Sequence, residues 1–185
     1  MESTVDKPAP QGIKYWCEDE TRLGLKTRES RRITGLGIKP IGQVQWNFKA
    51  YYLYRGICPP KTRENFFLEF SHLDGDCFQI FLNELSQAFP EHLNVIQVDN
   101  GRFHHSSKLE IPENILLIFQ PPYSPELNPI ERVWQFLKQQ LNWENYQNLD
   151  NLKQRVSSII EDLSPEIIRS LTGWDYILEA LRTVA

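Results

Sequence analysis

The chain has 185 residues, 41% of them hydrophobic and 12% aromatic, and a net charge of −4. That length supports one domain with a real core, and the apolar content excludes a disordered chain. No apolar run approaches a membrane span and no cationic-then-apolar leader opens the sequence, so neither a membrane protein nor a secreted one is expected. Cys17, Cys58 and Cys77 are odd in number and have no paired spacing. They read as reduced thiols in a cytosol, with no structural zinc. The acidic balance argues mildly against a nucleic-acid partner. The charge is uneven, however: between positions 22 and 39, Arg22, Lys26, Arg28, Arg31, Arg32 and Lys39 face the single acid Glu29. Such a cluster is either a solvated hairpin or a set of phosphate contacts.

Residues 1–11 are polar with two prolines and read as a flexible lead-in, leaving 12–185 as one domain. Lys14–Asp19 is aromatic-rich and reads as a strand ending in acid. Alternation puts Tyr15, Cys17 and Asp19 on one face, and Trp16, Glu18 and Glu20 on the other. Beyond the basic segment, Val44–Tyr54 reads as one or two strands, closed by Arg55-Gly56 and Pro59-Pro60. Asn65–Phe70 is a further short strand. The period then changes: Phe78, Phe81, Leu82, Leu85 and Phe89 sit at helical spacing, and Pro90 stops the helix. Asn94–Asp99 is a buried strand ending in acid, followed by an Asn100-Gly101 turn. Ile115–Phe119 is an apolar run of buried-strand length. Pro121, Pro122, Pro125 and Pro129 forbid its continuation. Asn128 then caps a helix whose apolar face is Ile130, Val133, Trp134, Leu137 and Leu141. From 143 onward the pattern is helical, over Leu149–Leu163, Pro165–Leu171 and Trp174–Leu181. The order implies an α/β fold, a mixed sheet flanked by helices, with the late strands parallel and central.

Three acids stand at element ends: Asp19, Asp99 and Glu131. Carboxylates gathered at neighbouring strand ends repel one another unless a cation joins them. Hard oxygen ligands suit Mg²⁺ or Mn²⁺, and a pair of such ions suits in-line displacement at a phosphodiester. Each acid also has a plainer reading. An acid at a strand end is often a turn former, and Asn128-x-x-Glu131 matches a capping box with Asn in place of Ser or Thr. His104 and His105 could be metal ligands, but a His pair in a loop is more often surface or a hydrogen-bonding pair. Asp74, Asp76 and Asp162 read as caps or surface.

The run Val98-Asp99-Asn100-Gly101-Arg102-Phe103-His104-His105-Ser106 and the run from Pro121 through Trp134, with Asp19-Glu20 upstream, resemble the catalytic domain of mariner-like bacterial insertion-sequence transposases. The likeness covers roughly Tyr15 to Lys138. It implies a ribonuclease-H-like fold and a DDE triad of Asp19, Asp99 and Glu131. These would hold two Mg²⁺ or Mn²⁺ ions, with Asp19 bridging them. It further implies nicking at transposon ends and attack of the freed 3′-hydroxyl on target DNA, usually at a TA step. Such transposases usually carry helix-turn-helix modules ahead of the catalytic domain. Their absence here is expected of a fragment, of the downstream product of a split frame, or of a decayed copy. The expected partner is DNA, with Arg22, Lys26, Arg28, Arg31 and Arg32 as its contacts. A separately encoded helix-turn-helix protein and a homodimer remain open. The expected location is the bacterial cytoplasm, with the nucleoid. Two alternatives stand beside the transposase: a nuclease of the same fold, and a non-catalytic DNA-binding or assembly remnant.

Overall fold

The computed structural model describes residues 11–31, 33–57 and 65–173. Most of the lead-in, Arg32, Cys58, Pro59-Pro60 and the helix expected over Trp174–Leu181 lie outside the described residues.

The sheet is mixed and five-stranded, in the order β3-β2-β1-β4-β5. Its centre is β1 (Ile13–Gly24). On one side β2 (Ala50–Ile57) pairs antiparallel to β1, and β3 (Asn65–Phe70) pairs antiparallel to β2. On the other side β4 (Leu93–Val98) and β5 (Ile115–Phe119) run parallel to β1. α1 (Gly75–Ala88) carries the chain from β3 to β4 and is capped by the Asp74 side chain, as the sequence suggests. After β5 come α2 (Ile130–Gln140), α3 (Leu149–Glu161) and α4 (Pro165–Thr172).

Strand alternation divides the core in two. Trp16 of β1 faces α1 and packs with Tyr54, Phe78, Phe81 and Ile96. Cys17 and Leu23 face the other way, among Val133, Trp134 and Leu137 of α2 and Val156 of α3. The face assignment made from parity therefore holds. Asp19 shares the α2 side with Cys17, and Glu18 and Glu20 share the α1 side with Trp16.

Several expectations are corrected. β1 does not end at Asp19 but runs to Gly24, because β2 pairs with it from Cys17 to Gly24. Residues 44–49 are not a strand. They return from a long excursion and meet the chain after β1 through isolated bonds, such as Leu25 N–H to the Lys49 carbonyl (2.9 Å) and Thr27 N–H to the Gln45 carbonyl (3.1 Å), with no ladder between them. The excursion is tied to the segment after α2, where the Trp143 indole N–H donates to the Ser30 carbonyl (3.1 Å). Gly42 lies flat on that indole, where an added Cβ would come within 2.4 Å of the ring. Finally, β5 is neither central nor fully buried. It forms the sheet edge, with Leu116 50% and Ile118 45% exposed. A five-residue apolar run reads alike at an edge and in a centre; only the pairing order separates them.

Asn94 joins the turn before β4 to the core. Its side-chain oxygen accepts from the buried Trp16 indole (3.0 Å), and its amide donates to the Phe89 (3.1 Å) and His92 (3.2 Å) carbonyls. Asn94→Ala strands these groups in a buried place. The expected loss of stability is roughly 2–4 kcal/mol, read by urea denaturation, since each orphaned buried polar group costs about 1–3 kcal/mol. A loss below about 1 kcal/mol would show that water replaces the amide.

Candidate active site

The site begins where pairing stops. The last β1–β4 rung joins Cys17 to Gln97. Asp19 and Asp99 each lie two residues beyond that rung, so the two parallel strands bring them to the same end of the sheet. β1 continues there because β2 still holds it, and Asp19 pairs with Arg55 of β2. β4 ends at Val98, and the chain turns away at Asp99.

Glu131 reaches the same place through the proline loop. The loop is bonded to both central strands: the Gln97 side-chain amide donates to the Leu127 carbonyl (3.0 Å), and the Asn128 amide donates to the Glu18 carbonyl (2.8 Å). Asn128 Oδ1 accepts from Ile130 N–H (3.3 Å), and the helix proper starts at Ile130. The capping box does not form, because the Asn128 N–H that Glu131 would have to accept from is given to the Pro125 carbonyl (3.0 Å). The Glu131 carboxylate is therefore not committed to its own helix, and it lies close enough to Asp19 to act on its charge.

The Asp19 carboxyl is pushed up to about 8, by burial first and then by the charges of Glu20 and Glu131. One of its oxygens, Oδ2, accepts from the Trp134 indole N–H at 2.9 Å, which partly offsets the rise. Asp99 is held low, chiefly by the hydrogen bond from His104, whose Nδ1 lies 2.9 Å from Asp99 Oδ1. Gly101 N–H donates to that same oxygen at 2.7 Å. The donor set of Asp19, Asp99 and Glu131 is all hard oxygen, and the charge of Asp19 is disfavoured by its surroundings. Both features fit a divalent cation such as Mg²⁺ or Mn²⁺.

Behind this group lies a second, buried one. His104 Nε2 is 3.3 Å from Glu20 Oε1 and 3.7 Å from Glu18 Oε2. Burial works to lower His104, but its bonds to Asp99 and Glu20 outweigh it and bring the imidazole to about 9. Glu18 is completely buried and its carboxyl is raised, by burial first and then by Glu20. Among the described residues, Glu18, Glu20 and His104 bring three ligand atoms within 4.8 Å of one another, as do His72, Asp74 and Cys77. Asp19, Asp99 and Glu131 do not form a group that tight.

The basic cluster divides. Arg28 lines a shallow groove with Glu131, Trp134, Gln135 and Lys138. A neighbouring depression is lined by Arg22, Lys26 and Arg28. Lys26 lies over the Trp46 ring, 4.6 Å from its centroid. Arg31 and Lys39 are exposed and line neither groove. Lys138 belongs to this rim, although the sequence reading missed it. Burial, and then the charge of Arg28, lower its ammonium pKa. Its signal was available: Trp134, Gln135 and Lys138 follow Glu131 by three, four and seven residues and share its helix face. The roles of Glu20 and His104 had no local signal, since 84 residues separate them.

The model of a family described as DDE superfamily endonuclease matches residues 14–153. An uncharacterized protein of Sinorhizobium fredii, y4pE/y4sA, is 36% identical over 93 residues, which are 50% of this chain and 67% of that one. Among solved structures, the Mos1 strand transfer complex matches 87% of this chain and 50% of its own, with a TM-score of 0.66 and 15% identity. The Mos1 mariner paired end complex with Mn matches 87% of this chain and 51% of its own, with a TM-score of 0.65 and 14% identity. The chain thus spans about half the length of the Mos1 chains, and identity this low speaks for the fold, which is ribonuclease-H-like. Since the family match runs through both central strands and α2, the chain belongs to the DDE superfamily endonucleases, with the fold of a mariner-like transposase domain.

Proposed function

We propose that this chain is the catalytic domain of a transposase, cutting DNA at the ends of a mobile element and joining the freed ends to target DNA. The observation that carries this reading is the placement of Asp19 and Asp99 at one end of the sheet, each two residues beyond the last β1–β4 rung, with Glu131 acting on Asp19 from α2. Two Mg²⁺ or Mn²⁺ ions, when bound, supply activation of the attacking oxygen and neutralise the leaving one. Asp19, Asp99 and Glu131 would hold them. Trp134 fixes Asp19 by occupying one of its oxygens. In the cut, a water oxygen attacks phosphorus and the 3′ oxygen leaves as a hydroxyl. In the joining step that 3′-hydroxyl attacks a target phosphodiester, and the target's own 3′ oxygen leaves.

Arg28 and Lys138, beside Glu131, meet the backbone phosphates of the strand being cut, and Arg22 and Lys26 extend that contact. On this reading residues 12–185 are one catalytic domain, and among the described residues of its C-terminal part, 143–173, α3 and α4 are helical. In support, α3 and α4 contribute Val156 and Ile168 to the same cluster as Cys17 and Trp134. Recognition of the element ends belongs to a helix-turn-helix module, and a second copy of the chain pairs the ends. Such work takes place in the bacterial cytoplasm at the nucleoid. Cys17 and Cys77 are both buried, and three cysteines with no paired spacing accord with a reducing compartment.

With an end-binding module supplied, Asp19→Ala, Asp99→Ala and Glu131→Ala are each expected to abolish Mg²⁺-dependent cleavage of end DNA. Full activity in any of them removes that residue from the site. Joining of a precleaved end then separates a transposase from a nuclease of the same fold. Because no capping box forms, Glu131→Gln and Glu131→Ala should melt within about 2 °C of each other without metal. A box would separate them by the cap's worth, about 1 kcal/mol, or roughly 2–4 °C at this size. For DNA binding, Arg28→Ala combined with Lys138→Ala should reduce the slope of log affinity against log salt by about 1.8, since each phosphate contact contributes about 0.9. An unchanged slope would remove both residues from the phosphate path.

A further inference from the structure

The proposed chemistry assigns roles to Asp99 and to the rim, but none to the buried His104 and Glu20. His104 is 3% exposed, so no solvent is available to satisfy its ring. The ring is fixed by edge contacts to Phe78 and Phe103, with centroids at 4.4 and 4.2 Å. Its two nitrogens face opposite ways: Nδ1 is 2.9 Å from Asp99 Oδ1, and Nε2 is 3.3 Å from Glu20 Oε1. Nδ1 is also 3.2 Å from the Asp99 carbonyl oxygen; each of these oxygens accepts, so both ring nitrogens donate.

We propose that His104, braced by Glu20, is a positioning residue for Asp99: it fixes which carboxylate oxygen Asp99 presents to the divalent cation. The inference rests on the metal reading given above. Every hydrogen bond to the Asp99 carboxylate among the described residues falls on Oδ1, one from His104 and one from Gly101 N–H at 2.7 Å. Oδ2 is left for the cation. A carboxylate on a short side chain turns freely about its last bond, and two donors on one oxygen stop that turn. The residue at 101 belongs to the same device. An added Cβ there would lie 2.9 Å from Asp99 Oδ1 and 3.3 Å from His104 Nδ1, so a glycine lets the two donors converge. Glu20 supplies the far end. It follows Asp19 directly in β1 but points to the opposite face, so one strand holds Asp19 on one side of the sheet and braces the holder of Asp99 on the other.

Two substitutions of similar shape separate the contacts. His104→Asn puts an amide nitrogen where Nδ1 stands, keeping the Asp99 contact and losing Glu20. His104→Gln puts its amide nitrogen where Nε2 stands, keeping Glu20 and losing Asp99. Calorimetric titration of Mn²⁺ into the full chain is expected to show His104→Gln binding roughly 10–100-fold more weakly than the parent, the usual cost of losing the partner of a metal ligand. His104→Asn should recover most of that loss. Melting without metal should fall similarly in both variants. Equal Mn²⁺ affinities in the two would overturn the positioning role and leave His104 as a buried structural pair. A parent that binds no Mn²⁺ would overturn the metal reading itself, and this inference with it.

Discussion

Three consecutive acids, Glu18, Asp19 and Glu20, lie in the central strand of the sheet. A buried strand is a costly place for three negative charges, and the rest of the structure follows from how that cost is met. Alternation separates them. Asp19 goes to the α2 face, where the Trp134 indole donates to it, and Glu18 and Glu20 go to the α1 face, where His104 lies between them and Asp99. Glu18 meets the cost differently. Its carboxyl is raised well above the ordinary carboxylate range, by burial first and then by Glu20. Asp19 is raised as well, but it stands at an open end of the sheet, where a cation can restore its charge.

The sheet topology makes that open end. β1 is held on one side by β2 through Gly24, and on the other by β4 only as far as Cys17. The strand is thus rigid where its second neighbour has departed, and the acids project from a fixed backbone into a gap. The proline loop completes the frame. It is bonded to the Glu18 carbonyl through Asn128 and to Gln97 through Leu127, so the first turn of α2 is referenced to the two strands that carry the aspartates. Each aspartate then has one oxygen held by a protein donor, Asp19 by Trp134 and Asp99 by His104 and Gly101. On the proposed metal reading, carboxylates held in this way need no reordering when a cation arrives.

Much of this was legible in the chain because it is local. Strand parity placed Asp19 opposite Glu18 and Glu20, helical spacing gave the buried face of α2, and Pro90 marked the end of α1. What was not legible depended on partners distant in sequence. The strand of Asp19 looked finished because acids follow it, yet β2 holds it for another turn of pairing. Ile115–Phe119 looked buried because apolar runs do not declare their neighbours, yet nothing pairs with β5 on its outer side among the described residues. The capping box matched in sequence and failed in space, because the Pro125 carbonyl took the N–H first. The contacts of Trp134 with Asp19 and of His104 with Glu20 span 115 and 84 residues, beyond the reach of any local pattern.

The central claim is that Asp19, Asp99 and Glu131, and not the tighter buried group behind them, hold the divalent cation. Crystals of the chain soaked in Mn²⁺ and measured for anomalous scattering test it most directly. The account predicts anomalous density between Asp19 and Asp99, with a second peak against Glu131. Density confined to Glu18, Glu20 and His104, or none near Asp19, would contradict it.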